Sequence, residues 1–172
     1  LVCSTIEVYK ELESVTDLEN LKTTQYSVPI GNSNTVIDLT NTKLKKVSLS
    51  GISAYIKLPN TVESFSQAGA PVPVIAENSD KLTNISISNI GGSEMWKNGF
   101  FATLKNATSL ESLIMERMST INFTKISDYI DYEMPSVTKL RISGNYASII
   151  NSLDGIDKFP NIRYFYLSLI HI

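Results

Sequence analysis

A hexamer with the order apolar-x-x-apolar-x-apolar recurs seven times along the chain, with a polar residue at its last position in two copies, and it constrains the fold more than any other feature. The seven copies are LENLKT, LKKVSL, VESFSQ, LTNISI, LESLIM, VTKLRI and IRYFYL, which begin at residues 18, 44, 62, 82, 110, 137 and 162. Successive copies are therefore 26, 18, 20, 28, 27 and 25 residues apart. One such hexamer is a weak signal, whereas seven in succession indicate a repeat architecture.

Each hexamer predicts a short strand whose alternate side chains point inward. In LTNISI, we expect Leu82, Ile85 and Ile87 to lie in the core and Ser86 to face water. A single unit has too little apolar surface to fold alone, so neighbouring units stack and form a core and a parallel sheet together. The strand at 84–87 is expected to pair in parallel with the strands near 46–49 and 112–115.

The segments between the hexamers are expected to form the wall opposite the sheet. Apolar residues recur near helical spacing in 93–109, 122–134 and 146–156, and this spacing predicts three helices. The short units between residues 44 and 82 leave little room for helices. The segment 68–79 contains two prolines and is predicted to be an extended loop or turn.

The unit lengths fall mostly within the range of about 20–29 residues of leucine-rich repeats, and the chain resembles that family over residues 18–166. The segments KLPNTVESF at 57–65 and NATSLESL at 106–113 are similar to segments of its BspA-like bacterial surface subtype. The asparagine at the ninth position of many such repeats is seen here only as Asn145. The resemblance implies an α/β leucine-rich-repeat solenoid, which is a curved parallel sheet with helices or loops on its convex side.

On this interpretation the chain divides into three parts. Residues 1–17 are an N-terminal flank or an incomplete repeat, and residues 18–166 are the repeat domain. Residues 167–172 read LSLIHI, which matches the translation of a transposon mosaic end used to prepare sequencing libraries. We expect these residues to be adapter read-through on a fragment of a longer array; the alternative is a C-terminal edge strand.

Composition and cysteine content reduce the number of function classes that the chain can belong to. The net charge is −2, whereas a nucleic-acid surface would need clustered Lys and Arg on a basic domain. The apolar runs are a few residues long, so we expect no membrane insertion. With Cys3 as the single cysteine, neither an intrachain disulfide nor a cysteine metal cluster can form.

Candidate catalytic residues are few. The only histidine, His171, lies in the LSLIHI segment and gives no basis for a hydrolase triad. Asp128 and Asp131 would share a face of the predicted helix at 122–134, which suits a metal or an acid/base pair, but a solvated face is the simpler interpretation. Gly91 and Gly92 lack the rest of a phosphate-binding loop. We therefore expect no enzyme activity, no cofactor and no metal site.

A solenoid of this kind usually binds its partners on the concave sheet. Small hydroxyl side chains occupy the centre of the predicted concave face, whereas its C-terminal third combines aromatic and charged residues typical of interface hot spots. This C-terminal patch consists of Ile114, Glu116, Lys139, Arg141, Tyr164 and Tyr166.

The predicted function is a non-enzymatic module that binds a protein or a glycan through the C-terminal patch. Its expected setting is a bacterial surface, a secreted protein or a phage virion. The alternative is a structural spacer that carries another functional domain. In that case Glu116 and Arg141 form an ordinary cross-strand pair on a solvated face.

Overall fold

The structure is a computed structural model that describes residues 11–22, 35–50, 54–69, 72–89, 93–118, 124–144 and 152–168. These ranges contain ten strands, all in parallel pairs, and short helical segments, so the architecture is mixed α/β. In chain order the strands are β1 (Asn20–Lys22), β2 (Val36–Asp38), β3 (Lys46–Ser50), β4 (Tyr55–Lys57), β5 (Ser64–Ala68), β6 (Val72–Val74), β7 (Asn84–Ser88), β8 (Ser112–Glu116), β9 (Lys139–Ser143) and β10 (Tyr164–Ser168).

Seven strands form the large sheet, in the order β1-β3-β5-β7-β8-β9-β10. Each of the seven hexamers supplies one of these strands, as predicted, and all neighbours are parallel. The prediction that the strand at 84–87 pairs directly with the one near 46–49 is wrong, because β5 lies between β3 and β7. The sheet is open, with β1 and β10 as its edges among the described strands.

Inward side chains of the large sheet form the centre of the core. Leu82, Ile85 and Ile87 are each at most 1% exposed, as predicted. Burying a side chain of this size stabilises the fold by about 1.5–3 kcal/mol. Ser86 is half-buried rather than exposed, because Ser66 and Ile114 stand beside it on the neighbouring strands.

The other three strands form a small sheet in the order β2-β4-β6, which the hexamer pattern did not predict. Its buried residues Ile37, Ile56 and Val72 belong to the same core cluster as the large sheet, so the N-terminal half has a core shared by two sheets. The expectation of a loop throughout 68–79 is therefore wrong for β6. Pro73 is compatible with this strand because β6 lies at the edge of the small sheet.

The predicted helix at 93–109 is present but ends early. It consists of α1 (Ser93–Trp96), a π-helical turn (Lys97–Phe101) and α2 (Ala102–Leu104). Gly99 lies in the π-helical turn, where a Cβ atom would stand 2.8 Å from Tyr55 Cε1 and from Val72 Cγ1. The lack of a side chain at this position therefore allows the helical segment to approach the small sheet closely.

The other two helix predictions are wrong for the residues that the structure describes. Residues 124–134 contain only a 3-10 turn, Ile126–Asp128, because Lys125 is extended and the Met134 N–H donates to the Lys158 carbonyl oxygen at 2.7 Å. The segment's own backbone hydrogen bonds are thus confined to the turn around Ile126, and its end bonds to the next unit. Residues 152–158 likewise contain one 3-10 turn, Ile156–Lys158, preceded by Gly155 in the left-handed region at φ 92°. Residues 122, 123 and 146–151 lie outside the described ranges.

The last strand extends beyond the predicted end of the repeat domain at residue 166. Leu167 pairs with Ile142 and Ser168 pairs with Ser143, and Leu167 packs against the core. These two residues therefore follow the strand pattern of the hexamers. Cys3, Gly91, Gly92, Asn145 and the segment 169–172 that includes His171 lie outside the described residues.

Candidate functional site

Strand register places the outward side chains of the large sheet in rows. One row is Asn20, Lys46, Ser64, Asn84, Ser112, Lys139 and Tyr164, and the next is Lys22, Ser48, Ser66, Ser86, Ile114, Arg141 and Tyr166. This register is the one obtained when the seven hexamers are aligned with one another. The middle of the face therefore carries small polar side chains, and larger charged or aromatic side chains lie toward both ends.

Arg141 is the centre of the C-terminal patch. Its Nε atom lies 2.8 Å from Glu116 Oε1, so the cross-strand ion pair that the sequence suggested is present. The N–H of Arg141 Nε nevertheless has no hydrogen-bond partner, which means that it does not point at the nearby carboxylate oxygen. The guanidinium carbon also lies 4.6 Å from the ring centroid of Tyr166, within cation–π range. The guanidinium is thus held by charge and by an aromatic face.

The tyrosines of the C-terminal patch stand on the edge strand β10. Tyr164 is 70% exposed and Tyr166 is 50% exposed. Both line a groove of about 390 Å³, the basic groove, together with residues of β9. The complete lining is Lys139, Leu140, Arg141, Arg163, Tyr164, Phe165 and Tyr166.

The structure brings four of the six predicted patch residues around this groove, and Glu116 joins them through its ion pair with Arg141. Ile114 shares a row with Arg141 but does not line the groove. Three lining residues, Leu140, Arg163 and Phe165, were not predicted. Phe165 occupies an inward position of β10 and is 39% exposed, because none of the described strands lies beyond β10.

A second groove lies at the other end of the same face. It has a volume of about 490 Å³ and is lined by Asn20, Leu21, Lys22, Lys46, Val47, Ser48, Ser64 and Ser66. This N-terminal groove has two lysines but no aromatic side chain. It therefore offers charge and hydroxyl groups without the large apolar surfaces that anchor most interfaces.

A cavity of about 570 Å³ opens between the helical segment and the turn that follows β8. Lys97, Asn98, Phe101, Ala102, Lys105, Ser127, Asp128, Tyr129, Asp131 and Tyr132 line it. Because residues 124–134 do not form a helix, the predicted helix face of Asp128 and Asp131 does not exist. Lys125 Nζ lies 3.6 Å from Asp128 Oδ1, and Thr124 Oγ1 donates to the other oxygen of Asp128 at 3.2 Å.

Tyr132 is a half-buried polar residue that lines this cavity. Its hydroxyl donates to the Phe101 carbonyl oxygen at 2.6 Å. Burial, and to a smaller extent the charge of Asp131, raises the pKa of Tyr132 well above its usual range. The hydroxyl therefore stays protonated and acts as a structural donor that ties the turn to the helical segment.

Within the described ranges, no three His, Cys, Asp or Glu side chains are placed to hold a metal ion. The helices of the described segments are too short to span a bilayer. Comparisons of the chain with protein-family models, with curated proteins and with solved structures find no significant match.

Proposed function

We propose that the chain is a segment of a leucine-rich-repeat solenoid and acts as a non-enzymatic binding module. The repeat assignment is supported by seven hexamers that all become strands of one parallel sheet, in chain order and in a common register. In such a solenoid the outward face of the large sheet is the concave surface on which partners dock. The partner is proposed to be a protein that contacts the C-terminal patch.

The observation that carries this proposal is the arrangement of Arg141, Tyr164 and Tyr166. Tyr166 holds the guanidinium in place, and both tyrosines present large exposed surfaces beside a groove. Arg and Tyr are enriched at interface hot spots because they combine buried area with hydrogen-bond donors. A side chain already held in position also loses less conformational freedom on binding.

The test begins with a random-peptide display library selected against the folded chain. Selected peptides are then titrated by fluorescence anisotropy against the wild-type chain and against the double variant Arg141→Ala, Tyr164→Ala. We expect at least tenfold weaker binding by this variant and a nearly unchanged melting temperature, because both side chains are substantially exposed.

The matched control is the double variant Lys46→Ala, Ser66→Ala. Lys46 belongs to the row of Tyr164 and Ser66 to the row of Arg141, so the same two rows are altered at the other end of the face. Binding by this control is expected to stay within twofold of wild type. If no peptide is enriched, or if the enriched peptides bind the Arg141/Tyr164 variant with full affinity, the module is better explained as a structural spacer.

A further inference from the structure

The basic groove carries an excess of positive charge on a chain whose net charge is −2. Its three cationic side chains are Lys139, Arg141 and Arg163, whereas Glu116 is the one carboxylate paired with them among the described residues. Lys139 and Arg163 are both exposed, and neither forms an ion pair with any residue that the structure describes. An anionic ligand in this groove could therefore pair with Lys139 and Arg163 without breaking an existing ion pair among the described residues.

The contact of Arg141 with Glu116 strengthens this argument. Arg141 Nε and Glu116 Oε1 are 2.8 Å apart, so the two opposite charges attract each other. The Nε–H of Arg141, however, is not directed at the carboxylate and makes no hydrogen bond. A guanidinium binds a carboxylate most strongly when two N–H groups donate in parallel, and the Glu116 contact is not of that kind. Glu116 is thus a weak internal competitor that a better-aligned carboxylate of a ligand can displace.

The proposed function favours a peptide over a glycan as the carrier of those carboxylates, because the partner it names is a protein. The three cations line one groove with Tyr164 and Tyr166, which are 70% and 50% exposed. An acidic peptide can use both features, since its aliphatic groups pack on the tyrosine rings while its carboxylates meet the cations.

We propose that the partner segment is an acidic peptide that occupies the basic groove and places its carboxylates over Lys139, Arg141 and Arg163. This inference rests on the proposed function, since it names the class of ligand for the same patch. Tyr164 and Tyr166 pack against the peptide, and the cations select for Asp or Glu in its sequence.

The experiment uses fluorescein-labelled hexaglutamate, with hexaglutamine as the matched neutral peptide, in anisotropy titrations at low salt. We expect the wild-type chain to bind hexaglutamate at least tenfold more tightly than hexaglutamine, with an affinity that falls as salt is added. The double variant Lys139→Gln, Arg163→Gln should bind hexaglutamate at least fivefold more weakly. The variant Glu116→Gln, which lacks the competing carboxylate, should bind it at least twofold more tightly.

The control variant is Lys22→Gln, Lys46→Gln, which removes two charges from the N-terminal groove instead. Equal losses in the two double variants would show attraction by overall charge and overturn the proposal. Equal affinity for the two peptides would also overturn it, and so would competition by trigalacturonate as strong as that by unlabelled hexaglutamate, because that result indicates a glycan. If any of these three overturning results is obtained while the binding of library-selected peptides still depends on Arg141 and Tyr164, the proposed function stands and only the acidic ligand is rejected.

Discussion

The two ends of the large sheet are built from the same hexamer and yet differ in how far their inward side chains are exposed to solvent. At the N-terminal end, β1 is three residues long and is preceded by a segment whose Leu12 and Leu18 pack against the core. That segment is also tied down where the Asp38 N–H donates to the Glu13 carboxylate at 2.9 Å. At the C-terminal end, β10 is longer and its inward Phe165 is 39% exposed.

The same row of the sheet shows the difference most directly. Leu21, Val47, Phe65, Ile85, Leu113 and Leu140 share this row with Phe165, and each of these six is at most 4% exposed. Alternation in the hexamer therefore decides which face a side chain lies on. Whether that side chain is buried depends on the neighbouring unit that covers it.

The wall opposite the large sheet differs between the two halves as well, and unit length explains the difference only in part, because the 26-residue unit that begins at residue 18 also returns through a strand, β2. The units that begin at residues 44 and 62 are 18 and 20 residues long, and they return through β4 and β6. The units of 28, 27 and 25 residues return through the helical segment or 3-10 turns. A three-residue strand spans about 10 Å, whereas an α-helix needs about seven residues to span the same distance. A short unit therefore has room for a strand more readily than for a helix.

The largest predicted effect tests the difference between the covered and the open end. Phe65→Ala should lower the free energy of unfolding by about 3–5 kcal/mol, because this ring is fully enclosed. Phe165→Ala makes the same change in the same row and should cost less than half as much. Urea denaturation followed by circular dichroism measures both. Equal losses would mean that β10 is as well covered as β5.

A second prediction concerns a polar side chain in the two-sheet core of the N-terminal half. Gln67 is 4% exposed, lies between Leu49 and Ile87 in its row, and neither polar atom of its side chain has a hydrogen-bond partner. Gln67→Leu should therefore raise the free energy of unfolding by about 1–3 kcal/mol, since it removes a buried unsatisfied amide. Thermal denaturation should show a higher melting temperature.

The adjacent outward variant Ser66→Ala serves as the control for Gln67→Leu and should change stability by less than about 0.5 kcal/mol. An unchanged or lower melting temperature for Gln67→Leu would indicate that the amide is satisfied by water in the core.

The smallest predicted effect is a pH dependence at the N-terminal end. A hydrogen bond from the Thr40 hydroxyl lowers the pKa of Asp38, and the backbone of Thr40 and the charge of Lys57 add to this effect. A carboxyl with a lowered pKa in the folded state stabilises the fold above its ordinary pKa of 3.8. That stabilisation is lost as the pH falls below this value toward the folded-state pKa.

Asp38→Asn should therefore cost less than about 1 kcal/mol at pH 7, because the side chain is partly exposed and the ion pair is screened. The difference from wild type should shrink as the pH falls below 3.8 toward the folded-state pKa, as measured by urea denaturation at several pH values. Asp80→Asn, at an exposed position, is the control for the Asp-to-Asn substitution itself. A pH-independent difference for Asp38→Asn would assign its effect to packing instead of charge.

The sequence predicts the large sheet well because a two-residue period leaves one choice of inward face for each hexamer. Its register follows from alignment of the hexamers, which is why Arg141 and Tyr166, both predicted for the C-terminal patch, are paired across β9 and β10. The edge residues Arg163 and Phe165 could not be assigned to the groove in the same way. Their exposure depends on what covers β10, and an alternating pattern does not contain that information.

The small sheet was missed because its strands are only three residues long. In retrospect the segments TVIDL, AYIKL and PVPVI share buried alternate positions, but prolines in the last one suggest a loop. The helix predicted at 122–134 failed for a related reason. Ile126 and Ile130 are both buried at helical spacing, yet a 3-10 turn followed by an irregular chain also directs both side chains to the core.

The chain-order arrangement of the large sheet also has a consequence for the route of folding. Paired strands are separated by 18–28 residues along the chain. The entropy of closing the longest and the shortest of these loops differs by only about 0.4 kcal/mol. Loop closure therefore scarcely favours one starting point, and the fold can nucleate wherever two adjacent strands bury the most apolar surface. From that nucleus it can grow by one strand at a time toward both ends, without any step that joins distant parts of the polypeptide.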